Sequence, residues 1–328
     1  MNKTAISYLD YTWNPLAMRC TPVSPACTNC WHLRMANRLA KNPMISPKAR
    51  GAYGGETWPL LLQDRLDEPR RCKKPSIIGV QFMGDLWHEA VFHRDILAVF
   101  RAALQAPQHT YVFLTKRSER MLEITKRYCE YKKWSCLPSN WWGLVTVENQ
   151  EWADKRILDL LEAPWAVRGL SCEPLLGAVD LRQWIGDCAC VDCQKRFYTD
   201  LDELLLPLND NAKCPECEGE IVTLDYVDES LDWVIAGGET GPGARPMHPS
   251  WTRRLRNQCN AAGVPFFFKS WGEWIDYHNA QSKNRLEIDY GKYRDNFVDG
   301  KLMYRIGNKR AGRLLDGRKW HEMPEEKR

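Results

Sequence analysis

The chain has 328 residues, 44% hydrophobic and 27% charged, with a formal net charge of +4. This is the composition of a globular protein long enough to bury a full core as one large α/β domain or two smaller ones. No apolar run reaches the roughly eighteen residues of a spanning helix. The opening "MNKTAISYLDYTWNP" also lacks the apolar core of a signal peptide, so a cytoplasmic protein without a membrane partner is expected. Thirteen cysteines in a reducing compartment point to metal sites or catalytic thiols, not to a disulfide framework.

In chain order, apolar β-rich runs alternate with helical patterns. An early strand is expected in "AISYLDYTW". "SIIGVQFMGD" (76–85) reads as a buried strand, followed by the helix "HRDILAVFRAALQA". "HTYVFLT" (109–115) precedes "KRSERMLEITKRYCEY", and "WWGLVTVE" (141–148) precedes a helix around "WADKRILDLLEA". "WAVRGLSCEP" (165–174) and "LDWVIAGGETG" (231–241) are further strands. The helix "SWTRRLRNQCNAAG" then ends at Gly263 and gives way to the strand "VPFFFKSWG". Continuous apolar strands separated by single helices predict a parallel sheet covered by helices. No GxGxxG or P-loop fingerprint follows any strand, which disfavours a nucleotide-binding open sheet.

The carboxyl ends of six successive strands carry Asp85, Lys116, Glu148, Cys172 with Glu173, Glu239 and Lys269. In a parallel barrel these positions converge on one mouth, where active sites sit. The expected fold is therefore α/β, a full or partial parallel TIM-like barrel. Residues 1–186 would form its first part and 223–278 its last.

Residues 187–222 break this rhythm. Cys190-x2-Cys193 is followed, twenty residues on, by Cys214-x2-Cys217, the spacing of a closed zinc ribbon with four thiolates. Cys188 is a spare. A closed site has no open coordination position, so this inserted module is expected to be structural and to need Zn²⁺ to fold. Residues 279–328 form a basic extension. From Gln281 onward thirteen Lys and Arg face eight Asp and Glu, +5, which leaves −1 for everything before. A basic tail and fifteen tryptophans suit an anionic, stackable partner such as nucleic acid, and equally suit a solvated tail and a packed core.

Cys20, Cys27 and Cys30 are one thiol short of a closed tetrahedral site. They are structural thiols, a zinc site completed by His32, or three ligands of a [4Fe–4S] cluster whose fourth iron stays open to a small molecule. Such a trio after the first strand of a parallel barrel resembles the radical S-adenosylmethionine (SAM) superfamily. More closely, the chain is similar to the phage- and prophage-encoded three-Cys-motif family, found beside a three-Cys-motif partner protein. The stretches that carry the likeness are "TWNP", "VSPACTNCW", "FMGDLWH", "FLTKRSERM", "GLSCEPLLGAVDL", "AGGETGPGARPMHPSW", "FFFKSWGEW" and "AGRLLDGRKWHEMP". The usual superfamily spacing is CxxxCxxC with an aromatic residue just before the last cysteine. Here the spacing is Cys20-x6-Cys27-x2-Cys30, and Trp31 comes just after.

The resemblance implies a cluster on Cys20, Cys27 and Cys30 whose unique iron chelates SAM, and cleavage of SAM to a 5′-deoxyadenosyl radical. It places the SAM amino group at "MGD", on Asp85. Glu173 and Glu239 would hold ribose hydroxyls or substrate, Lys116 or Lys269 the SAM carboxylate, and Arg245 a carboxylate or phosphate. Cys172, Lys116 and Glu148 are the candidate catalytic residues, with Cys172 as a hydrogen-atom donor. The expected substrate is nucleic acid or a nucleotide, and the expected electron donor a flavodoxin or ferredoxin. The partner protein or a peptide is an alternative substrate. A non-catalytic nucleic-acid-binding protein stapled by zinc is the alternative from another class.

Overall fold

The computed structural model describes residues 1–185, 188–190, 196–197, 217, 221–223, 230–279 and 293–325. Its centre is one eight-stranded sheet: β1 (Asn2–Lys3), β2 (Tyr11–Trp13), β3 (Ile77–Val80), β4 (Thr110–Thr115), β5 (Trp141–Thr146), β6 (Val167–Cys172), β7 (Trp233–Gly237) and β8 (Phe266–Ser270). The strands lie side by side in chain order. β1 pairs antiparallel with β2, and every other neighbouring pair is parallel. The fold is thus mixed α/β around a mostly parallel sheet. Each expected strand is present, trimmed at its ends.

The crossovers carry α3 (His93–Leu104), α4 (Ser118–Lys132), α5 (Gln150–Glu162) and α6 (Pro249–Ala261). Successive right-handed crossovers that always advance in one direction put their helices on one face. The burial agrees. Tyr111, Phe113, Trp141, Val145, Leu170, Val234 and Phe268 form one core with Phe100, Met121, Ile157 and Leu255 of those helices. The alternate residues, Val112, Trp142, Leu144, Val167, Trp233, Ile235 and Phe267, form a second core that holds no helical residue. Period-two alternation therefore gives both faces an apolar lining, which is why the strands read as unbroken apolar runs. Tyr8, ahead of β2, packs edge-on against Trp233 of β7 and Phe267 of β8, so side chains from both margins of the sheet meet.

Between β2 and β3 the chain forms a helical hairpin, α1 (Trp31–Ala40) and α2 (Pro47–Gly54), joined around Ala36, Ala49, Ala52 and Tyr53. Ser46 caps α2 by accepting from the Ala49 amide. Within the insertion, residues 188–190, 196–197 and 221–223 form a separate antiparallel sheet. Cys193 and Cys214 and the side chain of Cys190 lie outside the described residues, and Cys217 is exposed.

The described part of the basic extension, residues 293–325, folds onto the body. Trp320 accepts from the Phe268 amide, Glu322 accepts from the Phe266 amide and from Trp233 Nε1, and His321 bridges and stacks on Phe267. Ion pairs add to the contact: Asp316 pairs with Arg253 and Arg256 of α6, Lys301 with Asp276, and Arg318 with Glu322. Among the described residues no helix is long and apolar enough to cross a membrane.

Candidate functional site

A cavity of about 230 Å³ opens at the carboxyl ends of β3 to β8. It brings Cys20, Cys27 and Cys30 together with five of the strand-end groups, Asp85, Lys116, Glu173, Glu239 and Lys269. Thr146, Ser171 and Lys269 supply its wall from alternating positions on the face away from the helices.

The thiol loop is built by local turns. A 3-10 turn over Pro25–Cys27 carries the Cys27 amide to Ser24 O and the Thr28 amide to Pro25 O, and Cys30 then sits at the N-cap of α1. His32 Nε2 accepts from the Cys20 amide at 3.3 Å. Its proton therefore resides on Nδ1, which is buried without a partner. Burial, with the nearby Arg19 charge, lowers the His32 pKa to about 4, so the ring is neutral at pH 7. Because Nε2 is spent on the chain, His32 positions Cys20 and is poorly placed to complete a zinc site through that atom. Among the described residues no three His, Cys, Asp or Glu side chains converge closely enough to bind one metal ion.

Arg117 is the hub behind Cys20. Its Nη1 donates to Cys20 Sγ at 3.6 Å and to Asp85 Oδ2 at 3.1 Å, its Nε to Glu89 at 2.8 Å, and its Nη2 to Thr21 Oγ1 at 2.9 Å. Burial, with the Asp85 carboxylate beside it, pushes the Cys20 thiol up to about 12 against the lowering pull of Arg117. Asp85 also accepts from Thr115 Oγ1, from the Trp87 amide and from the Lys116 amide. Both its oxygens are thus spent on the protein. Gly84 immediately before it has φ +129, and a Cβ there would lie 2.6 Å from Met18 Sδ, so this turn requires glycine.

The "GGETGPGARP" loop clasps the thiol loop from the other side. Glu239 is held bidentately by Arg245 at 2.6 and 2.9 Å and accepts from the Arg245 amide and from Asn29 Nδ2. Asn29 also reaches Gly243 O, and Arg245 reaches Pro25 O. Burial alone would raise the Glu239 carboxyl, but the Arg245 and Asn29 hydrogen bonds hold it below its usual range. Arg245 is therefore a brace outside the cavity lining. Lys269 is ion-paired to Glu173. Lys116 Nζ donates to Thr146 Oγ1 at 3.3 Å. It is the lining cation that has no carboxylate partner among the described residues.

Two expected residues point elsewhere. Cys172 is fully buried in the core shared with the helices, and burial raises its thiol pKa far above the ordinary range. Adjacent strand residues face opposite sides, so Ser171 takes the cavity and Cys172 the core. The reading of Cys172 as a hydrogen-atom donor at the mouth is corrected accordingly. Glu148 is likewise inside, 0% exposed and paired with the buried Arg156 at 2.9 Å, where it anchors the β5–α5 connection. The sequence reading missed Arg117, Thr146 and Ser171. The hydroxyls stand one or two residues before expected strand ends, a signal available from alternation. Arg117 in "TKRSERM" reads as ordinary helix-start charge.

The family profile that matches the chain covers residues 3–324, thus both the thiol loop and the tail. The chain belongs to the family described as "Protein of unknown function (DUF5131)". No curated protein and no solved structure matches it.

Proposed function

We propose that this DUF5131 member is a radical SAM enzyme acting on nucleic acid or a nucleotide, with a [4Fe–4S] cluster on Cys20, Cys27 and Cys30. The observation that carries the proposal is the common cavity of the three thiols and the polar ends of the sheet. The donor set fits such a cluster. Three thiols face one space, and the adjacent imidazole Nε2 is already spent. Thiolates of a cubane each bind a different iron, so they need not converge on one point. When bound, the cluster supplies the electron that splits SAM into methionine and a 5′-deoxyadenosyl radical, with a flavodoxin or ferredoxin as the donor.

The chain's own groups then divide the work. Lys116, lacking a carboxylate partner, is suited to the SAM carboxylate. Glu173 gives one oxygen to Lys269 and offers the other to the ammonium or the ribose hydroxyls. Thr146 and Ser171 add neutral hydrogen bonds. Asp85 and Glu239, expected as direct contacts, serve instead through Arg117 and through Arg245 with Asn29 to fix the thiol loop. The sheet itself is read as a partial barrel, because its strands follow chain order, its helices share one face and its margins meet at Tyr8. The insertion is read as a zinc ribbon on Cys190, Cys193, Cys214 and Cys217.

Anaerobic reconstitution tests this reading. About four irons and one zinc per chain, with 5′-deoxyadenosine formed from SAM under reduction, are expected. Two zincs without iron would instead mean a metal-stapled binding protein. Alanine at Cys20, Cys27 or Cys30 removes the iron. Cys172→Ala keeps both the iron and the deoxyadenosine, since its side chain lies in the helical core.

A further inference from the structure

The segment that follows the thiol loop is rich in cations and exposes large aromatics nearby. Residues 31–59, which contain the α1–α2 hairpin, carry Arg34, Arg38, Lys41, Lys48 and Arg50 against the single carboxylate Glu56. Among the described residues none of these five cations, nor Arg19, has an ion-pair partner. Arg34 and Arg38 on α1 and Lys41 at its C-cap follow an i, i+4, i+7 spacing and so form one stripe, in which Arg34 also donates to Pro242 O at 3.3 Å. Arg19 reaches this stripe through Asn37.

Beside the hairpin runs a groove of about 550 Å³, lined by Arg19, Cys20, Leu33, Glu56, Trp58 and His88 among others, with the α1 cations flanking it through the Arg19–Asn37 contact. Trp58 is 65% exposed and Phe92 41%. Their ring centroids lie 5.6 Å apart, and the Arg94 guanidinium sits 4.7 Å above the Phe92 ring. Arg94 is itself paired with Asp95, so the charge open to a ligand is that of Arg19 and the α1 cations, and exposed rings with such groups nearby suit bases stacked on rings and phosphates met by ammonium and guanidinium groups. An acidic peptide would use the cations but gain little from an open aromatic pair. Cys20 lines both this groove and the cavity, so a strand lying in the groove arrives at the thiol site.

We infer that the α1–α2 stripe and the Trp58–Phe92 pair form a binding face for single-stranded nucleic acid that feeds an unpaired base to the cavity. This rests on the nucleic-acid half of the function proposed above and names the surface that would serve it.

The test is fluorescence anisotropy of the full-length protein with a labelled single-stranded oligonucleotide of mixed sequence, over about 50 to 200 mM salt. Trp58→Ala with Phe92→Ala should weaken binding about 10- to 100-fold, and Trp58→Phe should restore most of it. Arg34→Gln, Arg38→Gln and Lys41→Gln together should weaken binding and flatten the slope of log affinity against log salt by about 2. Unchanged affinity in the aromatic variant, or no binding by the wild type, overturns the inference. So does tighter binding of an acidic peptide of equal charge that depends on the same residues. This binding needs neither SAM nor reductant, so it stands or falls separately from iron content and deoxyadenosine formation.

Discussion

Glu239 shows how a single strand-end carboxylate can matter without touching a substrate. It joins Arg245 and Asn29, and through them braces the loop that carries Cys27 and Cys30. Replacing it with Gln should cost about 2 kcal/mol at pH 7, the scale of charge-assisted hydrogen bonds. Because its folded pKa is depressed, its contribution is fully present above the unfolded value of about 4.3 and is lost as pH falls through the lower folded value. Urea unfolding should therefore show the wild type and Glu239→Gln furthest apart near neutrality and converging as pH drops below about 4. A constant gap across that window would mean that the carboxylate's charge plays no part. Sequence alone located Glu239 but not its role, because Asn29 lies 210 residues away.

At the scale of elements, the ends of the strands matter more than their middles. Gly238 follows β7, and an added Cβ would come within 2.0 Å of Trp271 O, a backbone atom that cannot swing aside. Gly238→Ala should therefore destabilise the protein by about 3 kcal/mol, read from the denaturant midpoint. An unshifted midpoint would show that the turn after β8 is not held against β7. The strands and crossover helices were legible because a sheet with two buried faces writes continuous apolar runs into the chain. Their termini were not. The strand expected over 76–85 stops at Val80, since Gln81 takes φ 53 and its side chain clips Leu16 N and O, contacts 65 residues distant. The same uncertainty of phase misplaced Cys172. Knowing that a strand ends near the mouth does not say which of two neighbouring residues faces it, since adjacent side chains point to opposite faces.

For the whole molecule, the question is how a sheet of parallel strands protects its last edge. β8 would present unpaired backbone groups, an invitation to pair with another chain. The tail answers this by running along β8, with Trp320 O accepting from Phe268 and Glu322 from Phe266. Nothing in "AGRLLDGRKWHEMP" reads as a strand, because only an isolated bridge and a few hydrogen bonds fix it there. Its charge pattern instead suggests a solvated tail. Trp320 is the anchor: 7% exposed, its indole donates to Leu315 O, Phe266 packs edge-on, and Arg318 lies 3.7 Å above the ring. Trp320→Ala should cost about 3 to 5 kcal/mol, the range for a buried tryptophan lost from a core. If the tail is chiefly an edge cover, the variant should also self-associate on size-exclusion chromatography at concentrations where the wild type does not. A variant that loses stability without associating would assign Trp320 to packing alone and leave the protection of β8 to the backbone contacts of the residues after it.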